Sequence, residues 1–244
     1  MDIDKIVTQV TAEVMNGLAG GKKTDAELLS ELPSKLELLL LRQELTARRI
    51  VEGCIDAKRA RFAAVCVMPY FVQTAAECLE GSGVDVCTVV AYPYGASSAA
   101  AKAADIRDCI ENGAGEIDVC LNSFAAKAGD YDTFRRDIDA VVSAVNARAK
   151  LKAVYLPELY TATERERVLA ILKSSGADMI SVAGDRIVPT ADDVAFVKNA
   201  VGRGIGIKAG ASNIEGATAM IKAGACRIGS PSAFEIAGAA AKHK

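Results

Sequence analysis

Two ionisable side chains lie within apolar stretches of the sequence, where a charge needs a specific reason. Lys208 ends the apolar run that starts at Gly204, and Asp118 lies between Ile117 and Val119. A lysine in a medium of low dielectric, or beside another cation, loses its proton more easily and can act as a nucleophile. A nearby carboxylate can then carry the proton. The two residues are therefore candidate catalytic groups; the alternatives are a lysine whose head reaches water and a buried structural ion pair.

Further polar residues lie at the ends of the predicted strands. Lys152 is at the start of an apolar segment, so it either reaches the same interior as Lys208 or is a solvated strand end. Glycine, serine and proline come directly before the last predicted helix, where free amides and hydroxyls suit a phosphate. The candidate phosphate ligands there are Gly229, Ser230 and Ser232. Capping of the helix is the other use of such a serine, and Pro231 removes one amide donor.

A short repeat relates three parts of the chain. The segments that begin at Asn112, Ser175 and Ala223 share a helix-ending glycine, an alanine, and a strand that begins two residues later. Superposing the segments brings three residues to one structural position on alternate strands: Asp118, Ser181 and Gly229. Ser181 and Gly229, with Gly210 just beyond Lys208, are therefore candidates for substrate binding beside the catalytic pair.

Alternating apolar and amphipathic segments predict the fold. Apolar strands are expected near 36–41, 64–68, 86–91, 116–121, 151–156, 178–183, 204–208 and 226–229. Helices are expected near 46–60, 71–82, 97–112, 130–148, 162–175, 191–201, 213–223 and 232–241. Eight strand–helix units in this length predict an α/β fold, a (β/α)8 TIM barrel, whose chemistry lies at the C-terminal ends of the strands. The first strand is ambiguous, because its leucine-rich run would also suit a helix.

Composition narrows the function classes. The net charge of −2 gives no electrostatic basis for binding nucleic acid or an anionic membrane, and no apolar run approaches the roughly 20 residues of a membrane span. The seven cysteines form no CxxC pair, which indicates reduced core thiols in a cytoplasmic protein. The only histidine, His243, is next to last, so neither histidine catalysis nor a His-ligated zinc is expected. The expected partner is a small molecule or a protein, with no metal and no other cofactor.

The first part of the chain forms a separate unit. Residues 1–18 carry an apolar stripe with helical spacing, and a Gly/Lys-rich tether follows to residue 24. We therefore divide the chain into an N-terminal amphipathic helix with its tether, 1–24, and a barrel domain, 25–244. The extra helix is either a lid on the barrel or a docking peptide for another protein.

Five motifs resemble the deoxyribose-phosphate aldolase family. They are Phe62-Ala-Ala-Val-Cys-Val-Met-Pro-Tyr70, Tyr92-Pro-Tyr-Gly-Ala96, Glu111-Asn-Gly-Ala-Gly-Glu-Ile-Asp118, Gly206-Ile-Lys-Ala209 and Ala223-Gly-Ala-Cys-Arg-Ile-Gly229. The resemblance runs from about residue 36 to the end. It implies a class I aldolase on a (β/α)8 barrel, which cleaves 2-deoxyribose 5-phosphate to glyceraldehyde 3-phosphate and acetaldehyde through a lysine Schiff base without metal.

The resemblance also implies roles for single residues. Asp118 matches the family's proton-relay aspartate, and Lys208 matches its second lysine, which lowers the pKa of the nucleophile. The position of the nucleophilic lysine is occupied by Ser181, which cannot form an imine. Other family positions also differ: Glu37-Leu38-Leu39 on strand one, Leu156-Pro157 after strand five, Ala211-Ser212 after Lys208, and Pro231 after strand eight.

These departures leave three hypotheses. In the first, the protein is a diverged aldolase in which Lys208 forms the imine and Asp118 is the acid/base. In the second, the barrel is catalytically inactive and acts as a binding or scaffold protein. In the third, Asp118 and Lys208 isomerise a sugar phosphate without an imine.

The N-terminal extension resembles the encapsulation peptides of bacterial microcompartment cargo. The protein is then cytoplasmic or inside such a compartment. The expected partners are a sugar-phosphate or aldehyde substrate, a shell or cargo protein bound through residues 1–18, and a second copy in a homodimer.

Overall fold

The computed structural model describes residues 24–184 and 187–242. The predicted helix over 1–18, nearly all of its tether and His243 lie outside the described residues. Among the helices of the described part, none has the length and apolar character needed to cross a membrane.

Eight parallel strands form a closed barrel in the order in which they occur along the chain. They are β1 (Leu36–Leu40), β2 (Ala64–Val67), β3 (Asp85–Val90), β4 (Glu116–Cys120), β5 (Lys150–Tyr155), β6 (Met179–Val182), β7 (Gly206–Gly210) and β8 (Arg227–Ser230). The barrel closes where β8 pairs with β1, with Glu37 opposite Gly229. The prediction of a (β/α)8 barrel is confirmed, and the ambiguous first segment is a strand.

One helix precedes β1, and the other helices follow the strands and form the outer layer. They are α1 (Asp25–Glu31), α2 (Ala47–Ala60), α3 (Val72–Leu79), α4 (Ala99–Glu111), α5 (Ser123–Lys127), α6 (Tyr131–Val145), α7 (Ala162–Lys173), α8 (Ala191–Val201), α9 (Ile214–Lys222) and α10 (Ala233–Lys242). Short 3-10 turns cover Leu32–Lys35, Pro69–Phe71 and Pro157–Leu159. Helix α5 was not predicted from sequence, because five residues capped by the Asn122 side chain are too short to show helical periodicity.

The repeat has the predicted structural meaning. Gly113, Gly176 and Gly224 all have positive φ values, 104°, 90° and 117°, just after helices α4, α7 and α9. Glycine reaches this region without steric cost, so each copy of the repeat ends a helix and lets the next strand begin at a fixed distance.

Alternation along the strands divides the buried residues into two groups. Val65 and Val67 of β2 belong to the main hydrophobic core, which includes apolar side chains from both the strands and the helices. Ala64 and Cys66 of the same strand form a second, small apolar cluster with residues of β3. Because successive side chains point to opposite faces of a strand, this second cluster lies inside the barrel. The inner apolar cluster is small because charged, polar and glycine residues occupy many of the inner positions on the other strands.

Two local predictions need correction. Strand β7 pairs with β6 from Gly206 and with β8 up to Gly210, so it begins and ends two residues later than expected. Lys208 is therefore in the middle of its strand and not at the end. Cys226 is exposed and is not a core residue, because it lies just before β8; all seven cysteines are free thiols.

Candidate active site

The inner face of the barrel carries six charged side chains with balanced charge. The carboxylates are Glu37 of β1 and Glu116 and Asp118 of β4, and the cations are Lys152 of β5, Lys208 of β7 and Arg227 of β8. The period of two along β4 brings both Glu116 and Asp118 to the interior. Charges removed from water are tolerated only when they are paired, and every member of this set has an opposite partner.

Lys208 is at the centre of the upper part of this network. Its Nζ donates to Asp118 Oδ2 at 2.5 Å and also contacts Glu37 Oε1. Only 4% of Lys208 is exposed. The predicted association of Lys208 with Asp118 is therefore present in the structure, and Glu37 joins it.

Lys152 lies below Lys208 and is fully buried. Its Nζ lies 2.8 Å from Glu37 Oε2, 2.6 Å from Glu116 Oε2 and 3.2 Å from Asp118 Oδ1. Of the two positions that the sequence allowed for Lys152, the structure has the interior one. Because its ammonium group contacts all three carboxylates, Lys152 holds together the charges of three different strands, β1, β4 and β5.

Arg227 closes the lower end of the network. Its guanidinium binds Glu116 through two nitrogens, each 3.0 Å from a carboxylate oxygen, and lies 3.3 Å from Glu37 Oε2. Such bidentate pairs restrict both side chains, so Glu116 is held in one orientation. Lys150 adds an outer contact, 3.1 Å from Glu116 Oε1.

The paired charges shift the pKa values in opposite directions. Burial alone would lower the pKa of Lys208, but the carboxylates of Asp118 and Glu37 outweigh burial and raise it above its ordinary value. Burial likewise opposes ionisation of Glu116, yet Lys152 and Arg227 lower its pKa to about 2. The expectation of a lysine with a lowered pKa is therefore wrong for the unliganded protein, because the nearest charges are anions and not cations.

The low pKa of Glu116 predicts acid sensitivity. A carboxyl group with a pKa of about 2 in the folded protein and about 4.5 in the unfolded chain stabilises the fold above pH 4.5. This contribution, roughly 3 kcal/mol, is lost as the pH falls from 4.5 towards 2, because the unfolded chain binds the proton first. Urea unfolding of the wild type should show this decline, and Glu116→Gln should show a smaller one from a lower stability at pH 7. An equal slope in both proteins would contradict the assignment.

A cavity of about 720 Å³ opens at the C-terminal ends of the strands, above Lys208. Five of the predicted site residues line it: Asp118, Ser181, Lys208, Gly210 and Gly229. Three predicted residues do not line it: Lys152, Ser230 and Ser232. The repeat correctly brought Asp118, Ser181 and Gly229 to one cavity, and Ser181 is directly opposite Lys208 in the pairing of β6 with β7.

The two serines after β8 serve the local backbone. Ser230 is fully buried, and its hydroxyl accepts a hydrogen bond from the Ser232 amide at 3.0 Å. The Ser232 carbonyl accepts from the Ile236 amide at 3.1 Å, as expected for the residue that precedes a helix. The geometry therefore favours the capping interpretation of this segment over direct contact with a phosphate.

Gly229 leaves space for the Lys208 side chain. A β-carbon at this position would lie 2.8 Å from Lys208 Cε, closer than such atoms normally approach. The Gly229 backbone is not in the left-handed region, so a substitution costs no backbone strain, and the lysine side chain has to move instead. Glycine at position 229 is therefore required by the position of the Lys208 amine.

We expect Gly229→Ala to displace Lys208 from Asp118 and to lower the rate of any reaction at the amine at least tenfold. Its effect on the free energy of unfolding should stay near 1–2 kcal/mol, because only one side chain is overpacked. Gly210→Ala is the matched control, since a β-carbon there has no protein atom closer than 4.0 Å. Equal losses for both variants would show that cavity volume, and not the lysine position, matters.

Four buried side chains of types that can ligate a metal ion also lie close together inside the barrel. Atoms of Glu37, Cys66, Cys87 and Asp118 all lie within 4.8 Å of one another. The same carboxylates already bind the ammonium groups of Lys152 and Lys208. These side chains supply the positive charge that a metal ion would supply, so the residues present do not fit a metal centre.

Three members of the network were not predicted as site residues from the sequence: Glu37, Glu116 and Arg227. A signal was present for Glu37, which is a carboxylate within the apolar run 36–41, as Asp118 is within its own strand. Glu116 and Arg227 are at strand starts, where a charge usually reaches solvent, so only the barrel geometry reveals their pairing.

Comparisons with known proteins decide the family. The chain is 38% identical over 211 residues to a protein named deoxyribose-phosphate aldolase from Geobacillus sp. (strain WCH70), covering 85% of this chain and 95% of that relative. It is 41% identical over 212 residues to one of the same name from Streptococcus gordonii, covering 84% and 95%. The chain belongs to the deoxyribose-phosphate aldolase family. No protein-family model matches this member of the family.

Solved structures agree with the family assignment. An aldolase named QR15 superposes with a TM-score of 0.82 at 26% identity, covering 87% of this chain and 97% of that one. The deoxyribose phosphate aldolase of Aeropyrum pernix, which is tetrameric, superposes with a TM-score of 0.81 at 21% identity, covering 88% and 93%. At 21% identity, the likeness to the Aeropyrum pernix structure is a likeness of fold. Each superposition covers nearly the full length of the solved structure. This member of the family therefore has the complete barrel.

Proposed function

We propose that the protein is an aldolase-type carbon–carbon lyase in which Lys208 forms an imine with a carbonyl substrate and Asp118 carries the protons. The observation that supports this most is the contact of 2.5 Å between Lys208 Nζ and Asp118 Oδ2 at the base of a cavity that can hold a ligand. Membership of the aldolase family supplies the reaction class. The relatives are named for deoxyribose phosphate. We propose for this protein the same type of reaction, the cleavage of a β-hydroxy carbonyl compound.

The first step conserves charge within the network. The Lys208 ammonium passes a proton to Asp118, the free amine adds to the carbonyl carbon, and Asp118 returns the proton as water leaves. The product is an iminium ion with the same single positive charge as the ammonium. Glu37 and Asp118, which stabilise the ammonium, therefore also stabilise the iminium.

The cleavage uses the same two residues. The Asp118 carboxylate accepts the proton of the β-hydroxyl group, the carbon–carbon bond breaks, and its electron pair moves into the iminium to form an enamine. The first aldehyde then leaves. Asp118 returns its proton to the enamine carbon, and water hydrolyses the resulting iminium to release the second carbonyl compound and restore Lys208.

The raised pKa of Lys208 sets the expected pH dependence. Below that pKa the ammonium passes its proton to Asp118 without exchange with solvent, so the rate of imine formation should stay within about threefold from pH 6 to pH 9. Incubation with acetaldehyde and borohydride, followed by peptide mass spectrometry, measures the reduced adduct on Lys208. A rate that stays level from pH 6 to pH 9 supports the proposal, and a rate that rises tenfold per pH unit contradicts the transfer to Asp118. An adduct only on surface lysines, or none, would contradict it.

A non-catalytic binding or scaffold role is the second candidate. It is favoured by the two carboxylate partners of Lys208 and by Ser181, which occupies the position where the resemblance places the nucleophilic lysine. This role predicts a stable barrel that traps no aldehyde at any pH. The association of residues 1–18 with a microcompartment shell stays a prediction, which co-purification of shell protein with the full chain, but not with a chain lacking 1–18, would support.

A further inference from the structure

The cavity above Lys208 has mostly apolar walls. Leu39 of β1, Val89 of β3 and Leu156 after β5 line its sides, and Ile187 and Val188 line its outer part. Ile187 is 64% exposed and Val188 is 76% exposed. Exposed apolar residues grouped around one opening indicate a surface that a ligand covers.

We infer that the carbonyl compound bound here carries an unphosphorylated apolar group, such as an alkyl or aryl chain. Its carbonyl lies at Lys208, and its chain extends outward between Leu39, Leu156 and Ile187. The position of the carbonyl rests on the proposed function, but the apolar character of the ligand rests on the cavity walls alone. The volume of about 720 Å³ is in the range of pockets that hold ligands larger than acetaldehyde.

The two lysines among the described residues that line the cavity are already neutralised. Among the described residues that line it, the lysines are Lys127 and Lys208. Lys127 Nζ donates to both carboxylate oxygens of Glu164, at 3.0 and 2.8 Å, and Lys208 binds Asp118 and Glu37. A phosphate dianion entering this part of the structure would meet no uncompensated positive charge, and transferring it from water would be costly.

Two amide donors after β7 and β8 are also used. The Ala211 amide donates to the Gly229 carbonyl at 3.3 Å, and the Ser232 amide donates to the Ser230 hydroxyl at 3.0 Å. Pro231, which precedes Ser232 and lines the cavity, has no amide hydrogen. In the segment where the sequence suggested a phosphate site, neither Pro231 nor the Ser232 amide is therefore available to a phosphate.

The first experiment compares two aldehydes by reductive trapping on Lys208. Hexanal carries an apolar chain, and glyceraldehyde 3-phosphate is the phosphorylated aldehyde that the family resemblance implies. We expect a half-saturating concentration at least tenfold lower for hexanal. An equal or lower value for glyceraldehyde 3-phosphate would overturn the inference.

A pair of matched variants locates the apolar contact. Ile187→Asp places a charge at the exposed rim of the cavity, and Ile55→Asp places the same charge on the exposed side of α2, away from the cavity. Ile187→Asp should raise the half-saturating concentration of hexanal about tenfold and leave that of acetaldehyde unchanged, whereas Ile55→Asp should change neither. Equal behaviour of the two variants would contradict the placement of the chain.

A binding measurement separates this inference from the proposed function. If no aldehyde is trapped, the imine chemistry fails, but calorimetric titration with 1-hexanol and with glycerol 3-phosphate still tests the ligand class. Tighter binding of 1-hexanol, weakened tenfold by Ile187→Asp, supports the inference. Tighter binding of glycerol 3-phosphate, or binding of neither compound, overturns it.

Discussion

Lys208→Met should abolish reductive trapping of acetaldehyde at the cavity, with an initial rate at least 100-fold below that of the wild type. Methionine keeps much of the side-chain volume but has no amine, so no imine can form. Lys208 is the only described lysine that lines the base of the cavity, since Lys127 binds Glu164 at its margin. Peptide mass spectrometry distinguishes the loss of this adduct from background reaction at surface lysines.

Two further variants keep this prediction interpretable. Ser181→Ala is the matched control in the same cavity, and it should retain at least a third of the trapping rate because the serine hydroxyl is not the nucleophile. Lys208→Met leaves Asp118 and Glu37 with less positive charge, so the double variant Lys208→Met/Asp118→Asn tests the chemistry in a charge-balanced barrel. Trapping at the wild-type rate in either Lys208 variant would show that the amine that forms the imine belongs to another residue.

Lys152→Met should lower the free energy of unfolding by about 3–5 kcal/mol, the usual cost of removing one partner from a buried ion pair. The Lys152 ammonium contacts Glu37, Glu116 and Asp118. Without it, three buried carboxylates share Lys208 and Arg227, and one negative charge is left without compensation in a medium of low dielectric. Urea unfolding at pH 7 measures the loss.

Charge balance gives the decisive control. The double variant Lys152→Met/Glu116→Gln again has equal numbers of buried anions and cations, and it should recover at least 1–2 kcal/mol relative to Lys152→Met. Lys150→Met removes the same type of side chain two positions earlier on β5, where 54% of the lysine side chain is exposed. That variant should cost about 1 kcal/mol or less. Additive losses in the double variant would show that packing, and not charge, sets the role of Lys152.

The sequence was sufficient to predict the order of the strands and helices and the level at which Asp118, Ser181 and Gly229 meet. Both depend on local rules: apolar periodicity, and a helix-ending glycine followed at a constant interval by a strand. The C-terminal ends of parallel strands in a closed barrel are brought together by the topology, so the site could be expected there. Lys208 and Asp118 were recognisable because each is a charge within an apolar strand.

The protonation of Lys208 could not be obtained in this way. It depends on which charges lie within a few ångströms of its Nζ, and Glu37 is 171 residues away in the chain. Glu116 and Arg227 are likewise 111 residues apart, and each resembles an ordinary solvated strand end in the sequence. Ring closure of β8 onto β1 brings these groups together, and Coulomb interactions at such distances then outweigh the desolvation that the sequence suggested. The apolar sequence around Lys208 predicts a lysine that loses its proton easily. In the folded barrel, Lys208 is instead a cation paired with Asp118 and Glu37.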